Sequence, residues 1–251
     1  MTDAVNPVPE NADYEDRVLI YMDVLGWSEL IARSVDDESA RAVLAKISST
    51  LRFPVDGMEK SIRRGDDFYG IRVSQFSDTL VMSTLAGKRG QLTSILVLAI
   101  GTVQVVVNNG HHVRGAVVRG KLIHRPDVIY GPALVEAYKI EKDVAKYPRI
   151  IIAPAARELV QKARPDGSQI ICDDRDGLQF LDVFTPHLYS AEERRATRHD
   201  LREQIRKKSS DLGIVAKHSW TLSYLDEIER RTLEVVMPWL NEDRKGRKRK
   251  S

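Results

Sequence analysis

One cysteine, Cys172, stands alone in 251 residues. A single thiol rules out an intrachain disulfide and a thiolate metal cluster within one chain, and it fits a reducing cytoplasm. No apolar run is long enough to span a bilayer: the best, Ser94 to Val107, is broken by Gly101 and Gln104 and falls short of the roughly 20 residues required. The opening stretch, MTDAVNPVPENADYEDR, is acidic and contains proline, where a secretory signal needs a basic patch and an apolar core. No repeat of 20–50 residues is visible. Net charge is also scarce: 39 Lys+Arg against 36 Asp+Glu give +3. Six of those cations crowd into residues 244–250, so the rest of the chain is acidic at −3. Such a body lacks the broad basic surface of a sequence-reading nucleic-acid binder. The expectation is a cytoplasmic protein that neither inserts in a membrane nor reads nucleic acid.

What is present is core-forming: 42% of residues are hydrophobic, enough for one enlarged domain or two small ones. RVLIYMDVLG is a short apolar run ending at Asp23 and Gly26, the pattern of a buried strand closed by a tight turn. Residues 28–34 and 38–51 carry helical spacing, with Asp36 and Asp37 placed to cap between them. FYGIRVSQF and TLVMST are two strands joined at Ser77-Asp78, and 91–109 is a deeply packed helix ended by Asn-Asn-Gly. HVRGAVVRGKL and DVIYG form a second strand pair, 131–146 a helix, and RIIIAPA a last buried strand. This β-α-α-β-β-α-β-β-α-β order reduces to the ferredoxin-like split βαβ plan, an α+β fold with an antiparallel sheet and helices on one face. Residues 169–172 and 178–181 add peripheral strands, and 190–208 and 214–240 are helical. The division expected is a flexible 1–15, an α+β domain over 16–184, a helical appendage over 185–243 that packs on the sheet or a partner, and a disordered basic tail over 244–251.

Asp23 at a strand end and Asp78 in the hairpin beside it are positioned as two carboxylates that hold Mg²⁺ or Mn²⁺, with substrate phosphates completing the shell. Singly, an Asp after a strand also serves as a helix cap, and an Asp in a hairpin as a turn residue. Leu25, Gly26, Trp27 and Ser28 follow Asp23 into a helix. Backbone N–H groups at that turn form a nest that suits a triphosphate.

These segments resemble a known family. Asp-Val-Leu-Gly-Trp-Ser at 23–28 is similar to the opening catalytic segment of class III nucleotidyl cyclases, and Gln-Phe-Ser-Asp-Thr-Leu at 75–80 to their second metal-binding segment. Residues 113–120 and the stretch from Tyr130-Gly131 to Glu141 resemble their later strand and helix, so the resemblance covers about 16–155 in order. It implies two metals bridging Asp23, Asp78 and the Val24 carbonyl, and a homodimer in which metal aspartates come from one subunit and the later helix from the other. Pyrophosphate then leaves as the ribose 3′-oxygen attacks the α-phosphorus in line.

Departures from the family redirect the substrate. Val135 replaces the asparagine that orients the ribose, and Lys139 replaces the arginine that stabilises the transition state. Lysine brings the charge without the bidentate fork. Ser74 and Val128 occupy the base-reading positions, where neither makes the usual bonds to a purine. The chain is therefore most similar to the pyrimidine cyclases of the bacterial Pycsar antiphage systems, which implies UTP ahead of CTP as substrate and an effector that senses the cyclic product. A purine cyclase, or a degenerate cyclase-homology module that binds nucleotide without turnover, is the alternative.

Other residues have plainer readings. Arg72 lies on the strand face of Ser74 and reaches the base or a phosphate, or is an exposed cation. Tyr130 stacks on a pyrimidine or, the expectation preferred, packs against the sheet. His111-His112, following a helix-ending glycine, is expected to be solvated. Arg114 and Arg119 fall on opposite strand faces, so at most one serves the site. Trp220, Tyr224, Ile228, Leu233 and Trp239 form a packing stripe.

Overall fold

The computed structural model describes residues 13–48, 50, 70–164, 168–208 and 210–247, with backbone alone at 28, 29 and 233–247. Expectations that fall on 1–12, 51, 68–69, 248–251 and the side chains of Leu233 and Trp239 lie outside the described residues.

The chain begins with strand β1 (Glu15–Leu25), helix α1 (Trp27–Ala32) and a helix α2 over 37–48. A hairpin of β2 (Arg72–Phe76) and β3 (Thr79–Leu85) leads to α3 (Arg89–Asn108) and β4 (His112–His124). β5 (Ile129–Tyr130), α4 (Pro132–Lys139), a π-helical turn (Ile140–Val144) and β6 (Ile150–Ile152) complete the expected order. The sheet runs β2-β3-β1-β4, the split βαβ arrangement, and every pairing in that part is antiparallel. β6 then adds to β4 in parallel, a departure from a purely antiparallel sheet that follows from the α4 crossover joining them.

Past β6 lie α5 (Pro154–Lys162), β7 (Ile171–Asp173), β8 (Gln179–Leu181), α6 (Ala191–Lys207) and α7 (Leu212–Arg247). α5 was not expected. Its proline at the first helical turn, where the missing N–H costs nothing, starts it directly after the strand. Asp36 caps α2 as expected, accepting from the Glu38 and Ser39 N–H groups, and Ser190 with Glu193 forms a capping box at α6.

Side-chain alternation divides the sheet. Val18, Ile20, Met22 and Val24 pack with Leu92, Ile95, Leu96 and Ala99 of α3, with Ala156 and Val160 of α5, and with Tyr224, Leu225 and Ile228 of α7. Leu19, Tyr21, Val81, Ala116 and Val118 face the other way and meet Ala133 and Ala137 of α4. Helices therefore cover both faces, and α4 is the one expected on the first face that lies on the second. Gly131 seats it: at φ +145° it lies against strand β4, where a Cβ would come within 2.6 Å of the Lys121 carbonyl. Among the described residues one helix, α3, is long and apolar enough to cross a membrane, and it is 56% buried within the fold.

The C-terminal helices pack on the sheet. Tyr224 donates to Asp182 beside β8, the Trp220 indole N–H to Asp174 at 3.3 Å, and His218 shares a 2.7 Å hydrogen bond with His112. His112 is thus buried, and His111 sits edge-on to Trp27 at 5.6 Å. The solvated pair expected from sequence is corrected, because its covering partner arrives from a distant part of the chain. α7 continues through Arg247, into the segment expected as a tail.

Candidate active site

Asp23 stands in β1 directly opposite Thr79 of β3 and Arg114 of β4. One residue on, the Val24 N–H donates to the Asp78 carbonyl at 3.0 Å, which ties the β2–β3 turn to the end of β1. That turn is tight because Ser77 takes a left-handed backbone, φ +53°. The two aspartates share one another's field. Burial pushes the Asp23 carboxyl up to about 6, and the negative charges of Asp78 and Glu141 add to that, against Arg114 and a Thr79 hydrogen bond. Glu141, buried in the π-helical turn, forms an ion pair with Arg114, whose Nε lies 3.8 Å from an Asp23 oxygen. Burial likewise raises the Glu141 carboxyl.

The strand register puts Arg114 on the Asp23 face and Arg119 on the other, where Arg119 pairs with Asp16 at 2.7 Å. Glu141 had no assigned role in the sequence. A charged residue one turn beyond an alanine-bearing helix face was its only signal.

After Leu25, Gly26 turns the chain with φ +87° and nothing within 4 Å of a would-be Cβ, so its backbone is open to a ligand. The Trp27 indole is wholly buried, which leaves only its backbone for the nest. The Ser28 side chain lies outside the described residues.

Ser74 and Val128, expected at the base, line one cavity of about 510 Å³ together with Gln75, Phe76, Asp127 and Leu134. Tyr130, Val135 and Lys139 line a second, of about 680 Å³, and Ile129 and Leu134 belong to both. The sequence-predicted base and ribose residues therefore divide between neighbouring cavities. Tyr130 is 61% exposed and stacks on Tyr14 at 6.2 Å rather than packing on the sheet. Its short strand β5 pairs only with the end of β4, too far out for the ring to reach the core. Arg72 donates to the carbonyl of its neighbour Ile71 at 3.0 Å. Among the described residues no contact joins Lys139 to Asp23 or Asp78.

The donor set at the strand ends is carboxylate oxygen, which suits a hard divalent cation and not a soft one. Among the described residues no group of three or more His, Cys, Asp or Glu is arranged to hold a metal. Two carboxylates fit a cation that takes the rest of its shell from a ligand such as a triphosphate.

No family model matches the chain, and no curated protein matches it. Solved structures do. The catalytic core of a rhodopsin-guanylyl cyclase with converted specificity, in complex with ATPαS, is 12% identical with TM-score 0.45 over 69% of this chain and 97% of that one. The guanylate cyclase domain of RhGC from Catenaria anguillulae, in complex with GTP, is 12% identical with TM-score 0.41 over 67% and 94%. The adenylyl cyclase CyaB from P. aeruginosa is 14% identical with TM-score 0.40 over 66% and 92%. At this level of overlap the fold stands on its own strand order and the site on its own geometry.

Proposed function

We propose that the chain is a nucleotidyl cyclase that converts a pyrimidine nucleoside triphosphate, UTP ahead of CTP, to the 3′,5′-cyclic monophosphate and pyrophosphate. The observation that carries this is the joining of Asp23 and Asp78 at one sheet end, on the strand that leads into the open turn at Gly26. Asp23, Asp78 and the Val24 carbonyl would hold Mg²⁺ or Mn²⁺, two per site. When bound there, such cations would supply Lewis acidity that lowers the pKa of the ribose 3′-hydroxyl and would screen the triphosphate charge. Backbone N–H groups of Leu25, Gly26, Trp27 and Ser28 take the β- and γ-phosphates. Arg114, held by Glu141, adds a positive charge beside the Asp23 carboxylate. The base enters the cavity of Ser74 and Val128; Val128 offers no hydrogen bond and Ser74 a single hydroxyl, so the pair cannot read both positions of a purine edge.

Lys139 balances charge at the α-phosphorus from a second copy of the chain. Tyr130, Val135 and Tyr138, exposed on and beside α4, are the apolar surface for that two-fold homodimer. The cyclic product then acts as a second messenger read by a separate effector in antiphage defence.

Incubating the protein with each of the four ribonucleoside triphosphates and Mn²⁺, and resolving the cyclic products, tests the proposal. Cyclic UMP is expected, and cyclic AMP alone would remove the pyrimidine assignment. Val135, which offers no hydrogen bond to a ribose, favours one other reading, a module that binds nucleotide without turning it over. Recovery of bound, unchanged triphosphate in the presence of metal would select it.

A further inference from the structure

Behind Ser74 lies a chain of polar groups that the mechanism above does not use. The Arg17 guanidinium, buried at 1% exposure, donates from Nε to the Ser83 hydroxyl at 2.9 Å. Ser83 Oγ lies 2.8 Å from His124 Nδ1, and His124 Nε2 lies 3.0 Å from Ser74 Oγ. Ser83 and His124 are both buried, at 0% and 3% exposure. Ser74 is half-buried and reaches the 510 Å³ cavity.

The direction of every bond follows from one end. Arginine has no acceptor, so Ser83 Oγ must accept from it. Ser83 has one proton, and among the described residues His124 Nδ1 is the remaining partner of that oxygen. Were Nδ1 to carry a proton instead, the Ser83 hydroxyl would be left buried with no acceptor, a cost comparable to a whole lost hydrogen bond. Nδ1 is therefore the acceptor, and a neutral His124 carries its proton on Nε2 and donates it to Ser74 Oγ. Burial, with Arg17 and Arg72 adding to it, lowers the His124 imidazole to about 4, so the ring is neutral at physiological pH. Ser74 has then accepted from within the fold, and its own proton points outward.

We propose that this relay makes the Ser74 hydroxyl a fixed hydrogen-bond donor into the cavity, which selects a base presenting a carbonyl oxygen there, uracil among the pyrimidines, over one presenting an amino group. The inference rests on this cavity being the base pocket of the proposed cyclase, and it goes further by assigning the choice within the pyrimidines to Ser74, His124 and Ser83. An amino group, as in cytosine, meets the spare Ser74 lone pair only by leaving the Ser74 proton without an acceptor. Ser74 is half-buried in the free protein and becomes covered when a base fills the cavity, so a base that leaves its proton unpaired is rejected. Ser83 and His124 are positioning residues: they set the donor without touching the base.

The test compares kcat/KM for UTP and CTP in the full chain, wild type, Ser74→Ala and Ser83→Ala. We expect wild type to favour UTP by about tenfold, the scale of one net hydrogen bond. Ser74→Ala should bring the ratio close to one. Ser83→Ala should shift it the same way, because His124 is then free to take either tautomer. A wild-type preference for CTP, or an unchanged ratio in Ser74→Ala, overturns the relay while leaving the cyclase assignment standing.

If no triphosphate is turned over, the cyclase assignment falls, and calorimetric titration of UTP against CTP judges the relay: tighter UTP supports it, equal or tighter CTP overturns it. A ¹⁵N-resolved spectrum of the histidines in wild type gives a readout that needs no variant to fold. His124 carrying its proton on Nε2 supports the relay, and on Nδ1 overturns it.

Discussion

The two faces of one sheet are built to different standards. Beneath α3, the β1 residues Val18, Ile20 and Met22 meet Leu92, Ile95 and Leu96, and all six are exposed by 1% or less. Each fully buried aliphatic side chain of this kind contributes about 1.5–3 kcal/mol. Beneath α4, the alternate residues of the same strands meet two alanines, Ala133 and Ala137. The remainder of that face is given to Asp23, Arg114, Ser74 and the buried Arg17 network, and its rim to exposed Tyr130, Val135 and Tyr138. Cohesion is concentrated on one side, which leaves the other free to hold repelling carboxylates and exposed apolar surface. A single strand serves both through its two-residue alternation.

The comparison can be broken in order of effect. Asp23→Ala or Asp78→Ala should lower cyclic-nucleotide formation by at least about a thousandfold, since each removes a ligand of the proposed metal site. Size-exclusion mass and circular dichroism should remain those of wild type, and substantial turnover in either variant would put the chemistry elsewhere. Ile95→Ala, on the opposite face, should cost about 2–5 kcal/mol in urea unfolding. The KM of its folded fraction should not move, and an altered KM would mean that the faces are coupled.

A smaller effect sits where α7 docks. Burial lowers the His112 imidazole to about 3 and the His111 imidazole to about 4. Both are neutral in the fold near pH 6 but charge readily once unfolded, where the ordinary value is about 6.5. The unfolded chain therefore binds more protons as pH falls through 6.5 toward 4, so stability is full above that window and declines within it. Urea midpoints measured from pH 7.5 to pH 4 should fall accordingly, and His112→Asn should flatten the slope. Smallest in stability is Val135→Glu, on an exposed site, which should change the unfolding free energy by less than about 0.5 kcal/mol. The same variant should halve the solution mass and abolish turnover if α4 is the dimer surface. A monomeric wild type would remove that role.

Much of this arrangement was legible from local pattern. The run ending at Asp23 and Gly26, the polar hairpin turn at Ser77-Asp78 and the helix closed by Asn109-Gly110 are all encoded within a few residues of where they act. What escaped was non-local. His112 is buried by His218 from α7, and Ser74 is oriented by His124 across two strands, and neither pairing leaves a mark in either segment. The side on which α4 packs was equally hidden, because an amphipathic helix names its buried face without naming the sheet face it will meet. α5 leaves little trace in the pattern because its buried residues, Ala156 and Val160, are small beside the strand they follow. The assignment of Ser74 and Val128 to the base came from family resemblance, and their meeting in one cavity is a fact of the fold.

The bond from the Val24 N–H to the Asp78 carbonyl has a consequence for biogenesis. Asp23 is synthesised early, while Asp78, Arg114 and Glu141 follow only after whole helices have intervened. β1 must be flanked by β3 and β4 before any of them meets it, so the site is among the long-range pairings that form slowly in such topologies. A nascent or partly unfolded chain would lack the site proposed for metal and nucleotide. Whatever binds here binds only the finished sheet, and at a hundredfold excess over Kd it would add about 2.7 kcal/mol to the stability of the native state. Substrate supply would then govern how long the protein survives as well as how fast it works.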